Sequence, residues 1–158
     1  MNAGRLAVGV IVLAAAIGGA FLWYTAERAF YEPVAFRPGE EIRLVPLVGD
    51  KPEAIIVTEI EGIDADSSPI KFRACFTTPL TLAMLTETYR EYEGAEPLVA
   101  PNGFDCFDAA AIGTALETGE ALAFLSEPDI HPGVDRVVAV FGDGRAYAWN
   151  QLNDTYKD

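Results

Sequence analysis

The residues of this 158-residue chain best suited to chemistry are Cys75 and Cys106, its only thiols, and His131, its only imidazole. A thioredoxin-type centre needs the close C-x-x-C spacing that lets one thiolate resolve the mixed disulfide of the other, and this pair lacks it. An even pair in an exported domain reads instead as one structural disulfide. Closing its loop would stabilise the fold by about 3.7 kcal/mol in the chain-entropy account. The competing reading is two buried free thiols that act as small hydrophobic side chains. His131 stands in DIHPGVD, beside Asp129 and Asp135. As a general base it would draw a proton from Ser126 or Cys75, giving a hydrolytic or thiol enzyme. No G-x-S-x-G turn presents a serine, and a lone loop histidine beside proline reads more simply as a solvated or locally hydrogen-bonded group.

Metal chemistry has weaker support still. Copper or zinc transfer wants clustered Cys, His or Met, and the chain offers only Met84 besides Met1. Asp64 and Asp66 open a stretch that looks like a calcium loop, but an EF-hand needs glycine at its sixth position and glutamate at its twelfth, which here are Pro69 and Cys75. A serine- and Asx-stabilised turn explains that stretch better. Glu87, Glu91, Glu93 and Glu96 read as a solvated face, and nothing selects two of the acids as a glycosidase pair. No catalytic residue, cofactor site or metal site is therefore expected.

The elements that would position these residues follow from how charge and apolar residues are distributed. The chain carries 24 acids against 11 bases, a formal net charge of -13, which opposes attraction to phosphate backbones and makes nucleic acid an unsuitable partner. Its 51% hydrophobic content excludes an acidic disordered chain. From Leu6 to Tyr24 no side chain is charged, and as a helix these 19 residues reach about 28 Å, close to the hydrocarbon thickness of a bilayer. Trp23 and Tyr24 close the run as interfacial rings, with Glu27 and Arg28 following in water. A cleaved signal peptide has a shorter apolar region, so residues 6–24 read as an uncleaved anchor behind a tail of residues 1–5. Arg5 and the free amino group keep that tail in the cytoplasm and place the rest outside. Within the span, Ala14 with Gly18 and Ala15 with Gly19 stand one helical turn apart, small enough for a second helix to approach closely.

Residues 25–41 read as a linker ending in the proline- and glycine-bearing EPVAFRPGEE, and residues 42–158 as one domain. Ile42 to Val48, Ala54 to Ile63 and Ile70 to Phe76 predict strands, the last with Ile70, Phe72, Ala74 and Phe76 on one face. Thr78 and Pro79 predict a helix start, with the helix running to about Arg90. Asp105 or Asp108 can cap a second helix over Ala109 to Thr118, with Gly119 as its stop. Ala121 to Leu125 predicts a buried strand, and Gly142 to Gly144 join the strands Arg136 to Phe141 and Arg145 to Leu152. The domain is then α+β, a mainly antiparallel sheet with about two helices on one face.

The runs SSPIKFRACFTTPLTLAMLTETY, FDCFDAAAIG and DRVVAV resemble those of an uncharacterised alphaproteobacterial family, short proteins with one N-terminal span and a small exported domain. The resemblance implies a periplasmic location at the bacterial inner membrane and supplies no activity, cofactor or catalytic residue. A histidine kinase finds no support in a chain with one histidine and no glycine-rich nucleotide lid. Elimination leaves a single-pass, membrane-anchored periplasmic binding or accessory protein, such as an accessory subunit or assembly factor of a larger membrane complex, whose partner is another membrane or periplasmic protein. The alternatives are an exported enzyme using Cys75 or His131, and the sensory head of a signalling partner.

Overall fold

The computed structural model describes residues 2–27 and 30–156; Arg28 lies outside the described residues. The chain divides into two units at Tyr31 and Glu32. The first is α1, a helix over Ala3–Glu27 whose 25 residues extend about 38 Å. It is apolar on every side and none of its span is buried. A helix with no polar face and nothing covering it has the surface of a membrane-crossing segment, a surface that signal sequences share.

The second unit is built on one six-stranded antiparallel sheet. Its strands are β1 (Glu32–Pro33), β4 (Thr58–Asp64), β5 (Arg73–Thr77), β6 (Ala121–His131), β7 (Val134–Phe141) and β8 (Arg145–Leu152), in the spatial order β1-β4-β5-β8-β7-β6. A small ribbon pairs β2 (Arg43–Leu44) with β3 (Glu53–Ala54), and the helices are α2 (Leu82–Thr88) and α3 (Ala109–Thr118). This is the α+β, mainly antiparallel arrangement that the sequence predicts.

Burial runs almost unbroken along β7 and β8, where a half-exposed strand would alternate. The sheet is therefore covered on both faces. One face carries Phe72, Ala74, Phe76, Val138, Val140, Ala146 and Ala148, packed with Ile42, Leu44 and Leu85 of α2. The other carries Cys75, Val137, Ala139, Phe141 and Trp149, packed with Phe107 and with Ile112 and Ala115 of α3. The two helices thus lie on opposite faces, not together on one as the sequence suggested, because each buries its apolar side in a different cluster.

Several local boundaries also differ from the sequence expectation. Residues 32–36 are part of the domain rather than a linker: β1 pairs with β4, and Val34 and Phe36 pack against the first cluster. The strand expected from Ile42 to Val48 forms a ladder only at Arg43–Leu44, because the N–H groups of Val45 and Leu47 donate instead to the carbonyls of Leu125 and Thr88. The strand expected from Ala54 to Ile63 is interrupted after Ala54 and resumes at Thr58, with a register irregularity between Thr58 and Glu61. Thr81, not Thr78, caps α2, its Oγ1 accepting from the Met84 N–H at 3.2 Å. Thr78 is diverted: its hydroxyl donates to the Ile56 carbonyl at 2.8 Å and its N–H to the Gly144 carbonyl at 2.9 Å. Gly144, at φ +91, admits that contact because a Cβ there would stand 2.8 Å from the Thr78 oxygen.

α3 matches its expected span, with Asp108 accepting from the Ala111 N–H and Gly119 closing it in the left-handed region. Between α2 and α3 the chain is irregular and packs against the second face of the sheet. Arg73, only 4% exposed, holds it there. Its Nε donates to the Leu98 carbonyl at 2.8 Å, its Nη2 to Val99 at 3.2 Å, and its Nη1 to Ile70 and Phe72 at 2.7 Å each. Gln151 adds a second clamp: its Oε1 accepts from the Glu96 N–H and from Trp149 Nε1, both at 2.9 Å, while its Nε2 donates to the Gly94 carbonyl. Arg73→Met would retain the apolar stem and leave these carbonyls without donors, so urea unfolding of the domain should show a loss of about 2 to 4 kcal/mol. A loss below about 1 kcal/mol would show that the guanidinium is not what fastens the segment.

Candidate functional site

The structure joins Cys75 and Cys106 in a disulfide, with Cα atoms 6.3 Å apart across a sequence separation of 31. It adopts the bridged reading over free thiols, and no free cysteine remains among the described residues. Cys75 sits on β5, and Cys106 belongs to the irregular segment just before Phe107, so the bond ties that segment to the sheet next to Arg73. Glu61, opposite Cys75 in the β4–β5 register, brings a carboxylate oxygen within 4.8 Å of both sulfurs. With the sulfurs bonded to each other, this trio offers no thiolate ligand.

The other candidate residues are not brought together. His131 is exposed at the end of β6, opposite Val134. Its sequence neighbours are engaged elsewhere: Asp135 accepts from the Asp129 N–H at 2.9 Å, from Asn153 Nδ2 at 3.0 Å and from the Tyr92 hydroxyl at 3.1 Å. Burial, followed by the charge of Asp135, raises the Tyr92 pKa well above its ordinary value, so this phenol stays protonated and donating. Among the described residues no hydrogen bond links either aspartate to His131. Ser126 is fully buried and donates its hydroxyl to the Arg43 carbonyl at 2.6 Å. Asp64 turns its Oδ1 to the N–H of the next residue, Ala65, at 2.8 Å, and the Ser68 N–H donates to the Ala65 carbonyl at 3.4 Å. In α1, Ala14, Ala15, Gly18 and Gly19 are exposed, and a Cβ added at either glycine would meet nothing within 4 Å.

The residue that sequence reasoning passed over is Arg136, which it took only for the start of a strand. It lies on the first face of the sheet, beside Phe72 and opposite Asn150 on β8. Its guanidinium carbon stands 3.6 Å from the centre of the Phe72 ring, and its Nε donates to Asn150 Oδ1 at 3.0 Å. Asn150, 1% exposed, is in turn fixed by donating to the Pro69 carbonyl at 2.8 Å. Burial lowers the Arg136 pKa, opposed by the charges of Glu127 and Asp64, yet an arginine so placed keeps its proton. Arg136, Glu127 and Asp64 line an open basin of about 370 Å³, walled on its apolar side by Val34, Phe36 and Phe72. A signal did exist in the sequence: a lone arginine at the head of the apolar run VVAVF is a charge that the fold must accommodate.

The chain belongs to a family of unknown function, DUF6446, whose profile matches residues 42–158. Comparison with curated proteins and with solved structures finds no match.

Replacing both cysteines by serine should destabilise the domain by about 2 to 5 kcal/mol in denaturant unfolding, and alkylation of denatured, unreduced wild-type protein should find no reactive thiol. Two labelled thiols in that sample, or unchanged stability in the double variant, would contradict the bridge as a structural element.

Proposed function

We propose that α1 is an uncleaved anchor that holds the domain on the periplasmic side of a bacterial inner membrane. There the protein serves as a binding or accessory component of a larger membrane complex. The observation that carries this reading is the uncovered, all-apolar surface of α1 in the same chain as a disulfide, a bond that persists in oxidising compartments. The positive-inside asymmetry supports the orientation, since Arg5 lies before the span while all 24 acids follow it. Its alphaproteobacterial origin is part of the same proposal and rests on the resemblance of the three sequence runs.

An exported enzyme using Cys75 or His131 is disfavoured by where its candidate groups lie. Cys75 is in the bridge, Ser126 donates to a backbone carbonyl, and His131 has no acid hydrogen-bonded to it among the described residues. The small face of Ala14, Ala15, Gly18 and Gly19 is where a partner helix would approach.

Protease added to spheroplasts should digest the chain beyond Tyr24, and the mature N-terminus should precede Leu6. Protection of the domain would overturn the orientation, and an N-terminus near Phe21 would overturn the anchor. Changing Gly18 and Gly19 to Ile keeps the span apolar and should reduce co-purified partner severalfold in mild detergent. Unchanged recovery of the complex would remove the helix face from the account.

A further inference from the structure

We propose that the basin at Arg136 binds a small zwitterion of the amino-acid class, its carboxylate on the Arg136 guanidinium and its ammonium group against Glu127. This proposal stands apart from the anchor reading and does not require it.

The first support is a guanidinium held in place but not fully used. The Phe72 ring fixes its plane, and the Nε bond to Asn150 fixes its rotation within that plane. Its two terminal nitrogens make no hydrogen bond and no ion pair within 4.0 Å among the described residues. No buried side-chain nitrogen or oxygen in those residues lacks a partner, so the terminal nitrogens open into the basin instead of being sealed in the core. Two parallel N–H groups on a rigid fork match the two oxygens of a carboxylate.

The second support is the charge around the fork. Glu127, opposite Arg136 in the β6–β7 register, and Asp64 at the end of β4 both act on the guanidinium, but beyond ion-pair distance. Arg43 pairs with Glu40 at 3.7 Å, and Arg37 and Glu41, also in the lining, offset each other in formal charge. A phosphate or dicarboxylate placed on Arg136 would meet two nearby carboxylates, and an amine alone would meet the guanidinium. A ligand carrying one charge of each sign satisfies both groups. Val34, Phe36 and Phe72 then offer an apolar wall for a hydrocarbon side chain, and about 370 Å³ lies within the size range of small-molecule sites.

The test is calorimetric titration of the full chain in detergent with L-leucine as the probe. 4-Methylpentanoate, which lacks the ammonium group, and 3-methylbutylamine, which lacks the carboxylate, serve as controls. L-leucine should bind saturably below about 10 mM, each control at least about tenfold more weakly, and Arg136→Gln should weaken leucine by about tenfold or more. Because Arg136→Gln disturbs Asn150, Glu127→Gln at the partly exposed rim provides a second reading. It should erase the preference for leucine over 4-methylpentanoate while leaving the thermal midpoint within a few degrees. No binding of leucine to the wild-type protein, unchanged binding in Arg136→Gln, or a preference that survives Glu127→Gln would each overturn the proposal. Equal affinity for 4-methylpentanoate in the wild-type protein would also overturn it and leave a simple anion site.

Discussion

An irregular chain segment cannot satisfy its own backbone carbonyls, and the stretch between α2 and α3 lies on the second face of the sheet beside α3 as such a segment. The sheet supplies the missing donors. Arg73 fastens the carbonyls of Leu98 and Val99, Gln151 fastens the backbone of Gly94 and Glu96, and the Cys75–Cys106 bond fixes the far end of the segment. A charged guanidinium under a loop is tolerable only because its N–H groups meet oxygens, and those oxygens are tolerable only because the guanidinium meets them. Beneath this clamp, Phe107 packs edge-on against Tyr147 and Trp149, so the second core cluster depends on the same attachment.

The two faces of the sheet then take different parts. The second is closed by covalent and polar ties and has the character of a structural face. The first is closed by α2 and the β2–β3 ribbon over most of its area, but at its Arg136 end, where residues 34–43 approach it, a basin remains. Arg73 and Arg136 are therefore contrasting cases of the same side chain. One has its donors directed at the protein's own carbonyls, while the other rests on an aromatic ring with its terminal donors facing open space. That contrast is why the first is assigned to architecture and the second to binding.

What could be read from the sequence was whatever is encoded locally. The span of α3 and the strand from Arg145 to Leu152 are marked by Asp108, Gly119 and the Gly142 to Gly144 turn, whose chemistry acts within a few residues. The cysteine pair was legible because a chain with two cysteines offers a single possible bridge. What failed was what distant chain decides. Thr78 has the composition of a helix cap, but its hydroxyl goes to Ile56, more than twenty residues away. Alternation from Ile70 to Phe76 set Arg73 on the face opposite Phe72 and Phe76, and only the remote segment makes that side an interior. Residues 32–36 looked like linker because a two-residue strand has no period to detect. Arg136 escaped notice because the ring beneath it and the asparagine beside it come from distant parts of the chain.

Amide hydrogen exchange on oxidised and reduced protein shows whether the bridge and its neighbouring clamps hold an otherwise irregular segment on the sheet. Reduction should speed exchange at Glu96 and Phe104 by at least about tenfold, while Val137 and Val138 in the β7–β8 ladder keep their protection. Identical exchange of Glu96 and Phe104 in the two redox states would contradict it.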